Sequence, residues 1–172
     1  MSSFRHVFRR IGRNRRGTAA IETAMLMLPF LMVLVGVFEI GAYIGQKSIL
    51  EDAVKTASRQ IATGQINGSG KGTFLATIAA NSFGLIDTSK LSVNVTAYPS
   101  FGAVPDGFSP LFDASGKAAN QNFQTGSGNQ VVVVQVGNWY AFVTPLLASL
   151  LATSSATASI VTTTLVFRNE PF

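Results

Sequence analysis

The stretch Arg15-Arg16-Gly17-Thr18-Ala19-Ala20-Ile21-Glu22 governs how the rest of the chain is read. A basic leader ends in a glycine, a single carboxylate follows five residues later, and an apolar run begins at once. Residues 23–38 carry no charge. Apart from Glu39, the apolar character persists to Ile44, giving about twenty residues, enough to cross roughly 30 Å of hydrocarbon as a helix. Residues 1–17 hold six arginines, Arg5, Arg9, Arg10, Arg13, Arg15 and Arg16, and no acid. Just beyond the run, Lys47 and Lys55 stand against Glu51 and Asp52. Such a bias keeps the arginine side in the cytoplasm and sends the C-terminal part across the membrane. The expected organisation is therefore a basic cytoplasmic leader over 1–17, a transmembrane helix over 18–45 and an extracytoplasmic domain over 46–172. Tyr43 suits the outer interface. A cleaved secretory signal fits poorly, because the core is too long and bulky Ile40 spoils a small-residue cleavage site around 39–43. A twin-arginine signal at Arg15-Arg16 would imply a folded, often cofactor-bearing cargo, and this chain has almost no cofactor ligands. Pro29 would break a helix in water; in lipid it makes a kink whose freed carbonyl is satisfied by neighbouring groups.

The net charge of +5 belongs to the leader, since residues 18–172 carry seven Lys/Arg against eight Asp/Glu. A nucleic-acid-binding face on the domain is not supported. Without cysteine there are no disulfides, thiolate metal sites or thiol nucleophiles. The single histidine, His6, lies in the leader, so neither a Ser-His-Asp triad nor a His-ligated zinc site is available to the body. The body's acids show no paired spacing, and Glu51 and Asp52 are adjacent and do not face each other on a helix. Gly68-Ser69-Gly70-Lys71-Gly72 lacks the spacing and the closing Lys-Ser/Thr of a phosphate loop. No cofactor, metal or small-molecule ligand is expected.

Residues 46–63 continue as helix, with Leu50, Val54, Ala57 and Ile61 on one apolar stripe. Lys47, Glu51, Lys55 and Arg59 occupy another face, where Glu51–Lys55 makes an i,i+4 pair, and Gly64 stops the helix. Unbroken from 18 to 63, this helix would be roughly 70 Å long. A polar, glycine-rich loop at 65–72 precedes a short helix over 74–83. Asp87-Thr88-Ser89 caps or turns the chain. Leu91, Val93, Val95 and Ala97 alternate with polar residues as a half-buried strand. Residues 99–129 form a long loop, tacked to the sheet by Phe101, Phe108, Phe112 and Phe123, with a turn signal at Asp106-Gly107. The four valines of a strand over 131–140 indicate burial on both faces or a central position. Thr144 caps a helix that opens with Pro145 and ends near Ala152. A second long strand spans 156–167, pairs antiparallel with the first and covers the apolar stripe. Arg168 and Glu170 are expected as a solvated pair at the sheet edge. The fold class is α+β: a long N-terminal transmembrane helix extending into a small antiparallel sheet of three or four strands.

Glu22 stands at the mouth of the span, and an acid there is a functional-site hypothesis by default. The structural alternative is a carboxylate at headgroup level favouring the helix N-terminus. If the chain is cut after Gly17, Thr18 becomes the N-terminus and Glu22 lies one turn along, about 6 Å on the same face. The carboxylate could then meet an amine, its own or a neighbour's. Gly17-Thr18-Ala19-Ala20-Ile21-Glu22 resembles a type IV prepilin processing site: glycine, four residues, glutamate. The wider stretch, with Pro29 seven residues beyond Glu22, resembles the TadE-like pseudopilins of the tight-adherence (Flp pilus) apparatus of bacteria. Ala53, Ala57 and Arg59 are similar to that family's pattern after the span, and Arg168-Asn169-Glu170-Pro171 to its closing Arg-x-Glu-Pro. Thr23 departs from the family, which often has an aromatic there.

The resemblance implies a pilin-like plan and no enzymatic activity. It implies a minor pseudopilin in the bacterial inner membrane, its N-terminus cytoplasmic and its domain periplasmic. The subunit would be cut after Gly17 by a prepilin peptidase and would assemble with other pseudopilins and assembly-platform proteins to prime or modify the pilus. Its partners would be membrane lipid and those proteins. The alternatives are an uncleaved single-pass scaffold of a secretion complex, and a membrane-tethered binding or hydrolytic module with loop 99–129 as its site.

Overall fold

The computed structural model describes residues 15–113, 116–119, 121–152 and 158–172. The chain divides into two units, Met1–Phe38 and Glu39–Phe172. Helix α1, Arg15–Ala62, supplies residues to both and contains Pro29.

In the first unit every described side-chain position from Gly17 onward is exposed, apart from Gly36. Ile21, Met25, Leu28, Phe30 and Phe38 are each more than half exposed. A helix apolar on all sides buries nothing against its own unit, and its length and composition suit a membrane span. Thr23 Oγ1 donates to the Ala19 carbonyl at 2.8 Å, a bond internal to the helix.

The second unit is α+β. Beyond α1 it contains α2 (Lys71–Asn81), β1 (Ser92–Tyr98), β2 (Val131–Ala141), α3 (Pro145–Leu151) and β3 (Ala158–Arg168). The three strands form one antiparallel sheet in the order β1-β2-β3. Val95 pairs with Val134, and Val134 with Leu165, so one inward row crosses the whole sheet. The valine run lies on the central strand, and Val131, Val132, Val133 and Val134 are all buried. On the inner face Val93, Val95, Val132, Val134 and Val136 join Leu50, Val54, Ala57 and Ile61 of α1 and Phe74 and Ile78 of α2 in one core. Each fully buried aliphatic side chain contributes about 1.5–3 kcal/mol relative to an exposed one. The expected stripe is therefore the one the sheet covers.

The opposite face is partly covered by the long loop. Leu111 and Phe112 lie over Gly137, where an added Cβ would come within 2.7 Å of Phe112 Cε2. Ser92 Oγ donates to the Leu111 carbonyl at 2.7 Å. Val95 exchanges backbone bonds of 2.8 Å with Asn122 and Gln124, pairing the free edge of β1 at that one residue. Of the four phenylalanines expected to tack the loop down, Phe112 packs edge-on to Trp139 and Phe123 to Phe74. Phe101 and Phe108 remain exposed, with Phe108 at the rim of a cleft that Tyr98, Pro105 and Val133 also line.

Other expectations shift by small physical margins. Helix α2 opens at Lys71, inside the stretch read as loop, and Ile66 in that stretch is buried. The described ion pair on α1 is Lys47–Glu51, at 3.9 Å, rather than Glu51–Lys55. Gly64 ends α1 in the left-handed region, φ +73°, with the Phe172 ring 2.8 Å from where a Cβ would stand. Asp87 accepts bonds from the Ser89 hydroxyl and N–H, which hold its carboxyl below the usual range. Positions 156 and 157 of the expected last strand lie outside the described residues.

Candidate functional site

Two clusters carry the polar chemistry of the chain. The first is the start of α1. Gly17 and Thr18 lie in its opening turns, exposed, and an added Cβ at Gly17 would meet nothing within 4 Å. Glu22 is exposed one helical turn beyond Thr18. Pro29 lies further along the same helix, exposed as well. Of the arginines expected to set topology, Arg5, Arg9, Arg10 and Arg13 lie outside the described residues, while Arg15 and Arg16 begin α1. This end of the helix presents a glycine backbone and one carboxylate that has no hydrogen-bond or ion-pair partner among the described residues.

The second cluster, which sequence reasoning missed, is built around Glu39. Its carboxylate is buried, and it accepts from the Val143 N–H, the Thr144 N–H at 3.0 Å and the Thr144 hydroxyl. These donors sit at the start of α3. Thr144 does not cap α3 with its own side chain; Glu39 binds the orphan N–H groups from across the unit. A carboxylate suits that position, because unpaired N–H groups and the helix dipole both favour negative charge. Next to it, Tyr43, Tyr140 and Phe142 form a mutually packed triad with ring centroids 5.2–5.7 Å apart. The Tyr140 hydroxyl reaches the Glu39 carbonyl at 3.5 Å. The one available signal was a lone acid interrupting the otherwise uncharged stretch 23–46 of α1.

The remaining residues of the resemblance are structural in position. Ala53 and Ala57 are fully buried where α1 meets the sheet. Their small size permits that close approach, and larger side chains there would overpack the core. Arg59 is exposed beside a groove of about 520 Å³ that α1 forms with Leu165, Val166 and Phe167. Arg168 is not paired with Glu170: its Nε donates to the Asn129 carbonyl at 2.9 Å. Glu170 N–H instead donates to the Ala62 carbonyl at 2.9 Å, and buried Asn169 donates to the Thr125 carbonyl at 2.8 Å. Pro171 follows, exposed. The tail thus clasps the end of α1, because unpaired carbonyls at a helix C-terminus need donors.

The cleft under loop 99–129, near Asn94, Thr96, Phe108 and Gln135, is lined among the described residues by amides, hydroxyls and apolar groups, with no carboxylate or histidine among them. Among the described residues no group of three or more His, Cys, Asp or Glu side chains is placed to hold a metal ion.

No curated protein and no solved structure matches this chain. Residues 17–59 match the family model described as TadE-like protein. The match opens on Gly17 and closes on Arg59, so it contains Glu22, Pro29, Ala53 and Ala57, and it ends before the sheet. Over residues 17–59 this chain is similar to the TadE-like family, the one that its sequence resembles.

Proposed function

We propose that this chain is a minor pseudopilin, inserted in the bacterial inner membrane with its leader in the cytoplasm and its domain in the periplasm. A prepilin peptidase cuts after Gly17, and the mature subunit packs with other pseudopilins and assembly-platform proteins to prime or modify a Tad/Flp adhesion pilus. The observation that carries this reading is the register of the family match: it starts on Gly17, the residue on which the processing pattern places the cut. The lipid-facing segment is taken as 18–38, which as helix spans about 30 Å and meets the thickness of a hydrocarbon core. N-terminal sequencing of the protein from its native membrane is expected to read Thr18-Ala19-Ala20. Recovery of only the intact leader would leave the uncleaved scaffold as the reading.

In the mature subunit Glu22 lies one turn from a free ammonium. In a medium of low dielectric the attraction between such groups is far stronger than in water. Glu22→Leu is expected to insert normally and to co-purify with partner subunits at about one tenth of the wild-type level or less. Wild-type incorporation of Glu22→Leu would exclude the pairing.

A further inference from the structure

The sheet has two outer edges, and the described residues pair with only one of them. Beyond β1, the long loop bonds to Val95. β3 is hydrogen-bonded along one side, to β2, and among the described residues no strand pairs with its other side. Residues 158–167 hold neither charge nor proline to blunt that edge. A long, uncharged edge rich in β-branched residues is a template for another strand.

The groove of about 520 Å³ lies at this edge. Leu165, Val166 and Phe167 of β3 line it, and no residue of β2 does. Successive residues of a strand point to opposite faces, so three in a row line a groove only where it opens along the strand's side. The other wall is α1, where Lys55 and Arg59 stand exposed one turn apart. Neither cation has an ion-pair partner among the described residues, and no acid lines the groove. Ser58, also lining it, is 3% exposed, and its hydroxyl has no hydrogen-bond partner among the described residues.

We propose that this edge takes an extended acidic segment of a partner protein. The segment adds beside β3 as a fourth strand, and its backbone supplies the N–H and carbonyl groups that the open edge lacks. One of its apolar side chains fills the groove against Leu165 and Phe167. A carboxylate two residues along, on the same face, meets Lys55 and Arg59. Charge selects this occupant over a second copy of the chain, because β3 holds no acid to meet the two cations and ends in Arg168. Every residue invoked lies in the second unit, so the inference depends on neither the span nor the cut after Gly17.

The probe is a fluorescent peptide of about nine residues, the length of a long strand, with threonine on one face and valine alternating with glutamate on the other. Its anisotropy is followed on the full-length chain in zwitterionic micelles. It is expected to bind at least about tenfold more tightly than its counterpart with lysine in place of glutamate. Lys55→Glu/Arg59→Glu is expected to abolish that preference; both side chains are exposed, and unchanged hydrogen exchange in β2 verifies that the fold is kept. Bound acidic peptide is expected to slow exchange of β3 amides. Equal binding of the two peptides, or binding of neither, overturns the proposal. An acidic peptide N-methylated throughout that binds as tightly as its parent shows that the strand edge is not used, with the same consequence. Protection of β3 that rises with protein concentration in the absence of peptide puts a second copy on the edge and likewise overturns it.

Discussion

Glu39→Ala is expected to destabilise the second unit by about 2–4 kcal/mol, because it removes the buried acceptor that three donors share among the described residues. The Val143 and Thr144 N–H groups and the Thr144 hydroxyl all point at this carboxylate. Hydrogen bonds to a charged group are worth more than neutral ones, and a buried donor left unpaired carries its full desolvation cost. Glu39→Gln separates charge from shape. The amide oxygen accepts as before, but its NH₂ faces donors, so about half the loss is expected to remain. Thr144→Val removes one donor along with its bond and is expected to cost about 1 kcal/mol. The losses are read as denaturant midpoints of the full chain in detergent micelles. Hydrogen exchange locates them: amides of 142–152 are expected to exchange faster in Glu39→Ala, while those of β2 change only by the global loss. Wild-type midpoints together with unchanged exchange at 142–152 would show that the carboxylate does not hold this segment.

The Glu39 cluster also marks where a sequence can and cannot be read. The strands were legible because their periodicity is local: Val93, Val95 and Ala97 alternate with polar residues, and a run of four valines is too apolar for an edge. The stripe on α1 was legible for the same reason. The partner of Glu39 was not, because its donors stand 104 and 105 residues away and are mostly backbone groups, which no side-chain pattern encodes. The choice of Glu51's partner failed differently. Lys47 and Lys55 both stand one turn from it, and two equivalent spacings leave the decision to rotamers at the surface. The outer layer had one trace in the sequence. Gly137, in a strand otherwise rich in β-branched and aromatic residues, marks the place where Leu111 and Phe112 come too close for a Cβ. At Arg168 and Glu170 charge complementarity was the wrong guide, since carbonyls and N–H groups at the ends of α1 and β2 compete for the same tail.

The second large effect expected is on maturation: Gly17→Val should reduce the processed fraction at least about tenfold. Proteolysis requires the scissile backbone to enter a shaped active site, and a branched Cβ at the residue before the cut adds bulk where glycine has none. The substitution is informative because the chain itself has no objection to it. A Cβ at Gly17 meets nothing within 4 Å, and valine is no worse a helix former than glycine. The six arginines expected to set orientation are untouched, so insertion and topology should be those of the wild type. A loss of maturation would then report on recognition by the peptidase and not on folding. Gly17→Ala, with a single unbranched methyl, should fall between the two. Intact mass of membrane-extracted protein distinguishes the forms directly, since a chain cut after Gly17 would begin at Thr18 and lack the whole leader. Blocked processing also keeps the Thr18 nitrogen in a peptide bond, so Gly17→Val should reproduce the co-assembly defect of Glu22→Leu, and the double variant should be no worse than either single one. Normal maturation of Gly17→Val would reject the assigned cut. Blocked maturation with normal co-assembly would retain the cut and discard the ammonium as the partner of Glu22.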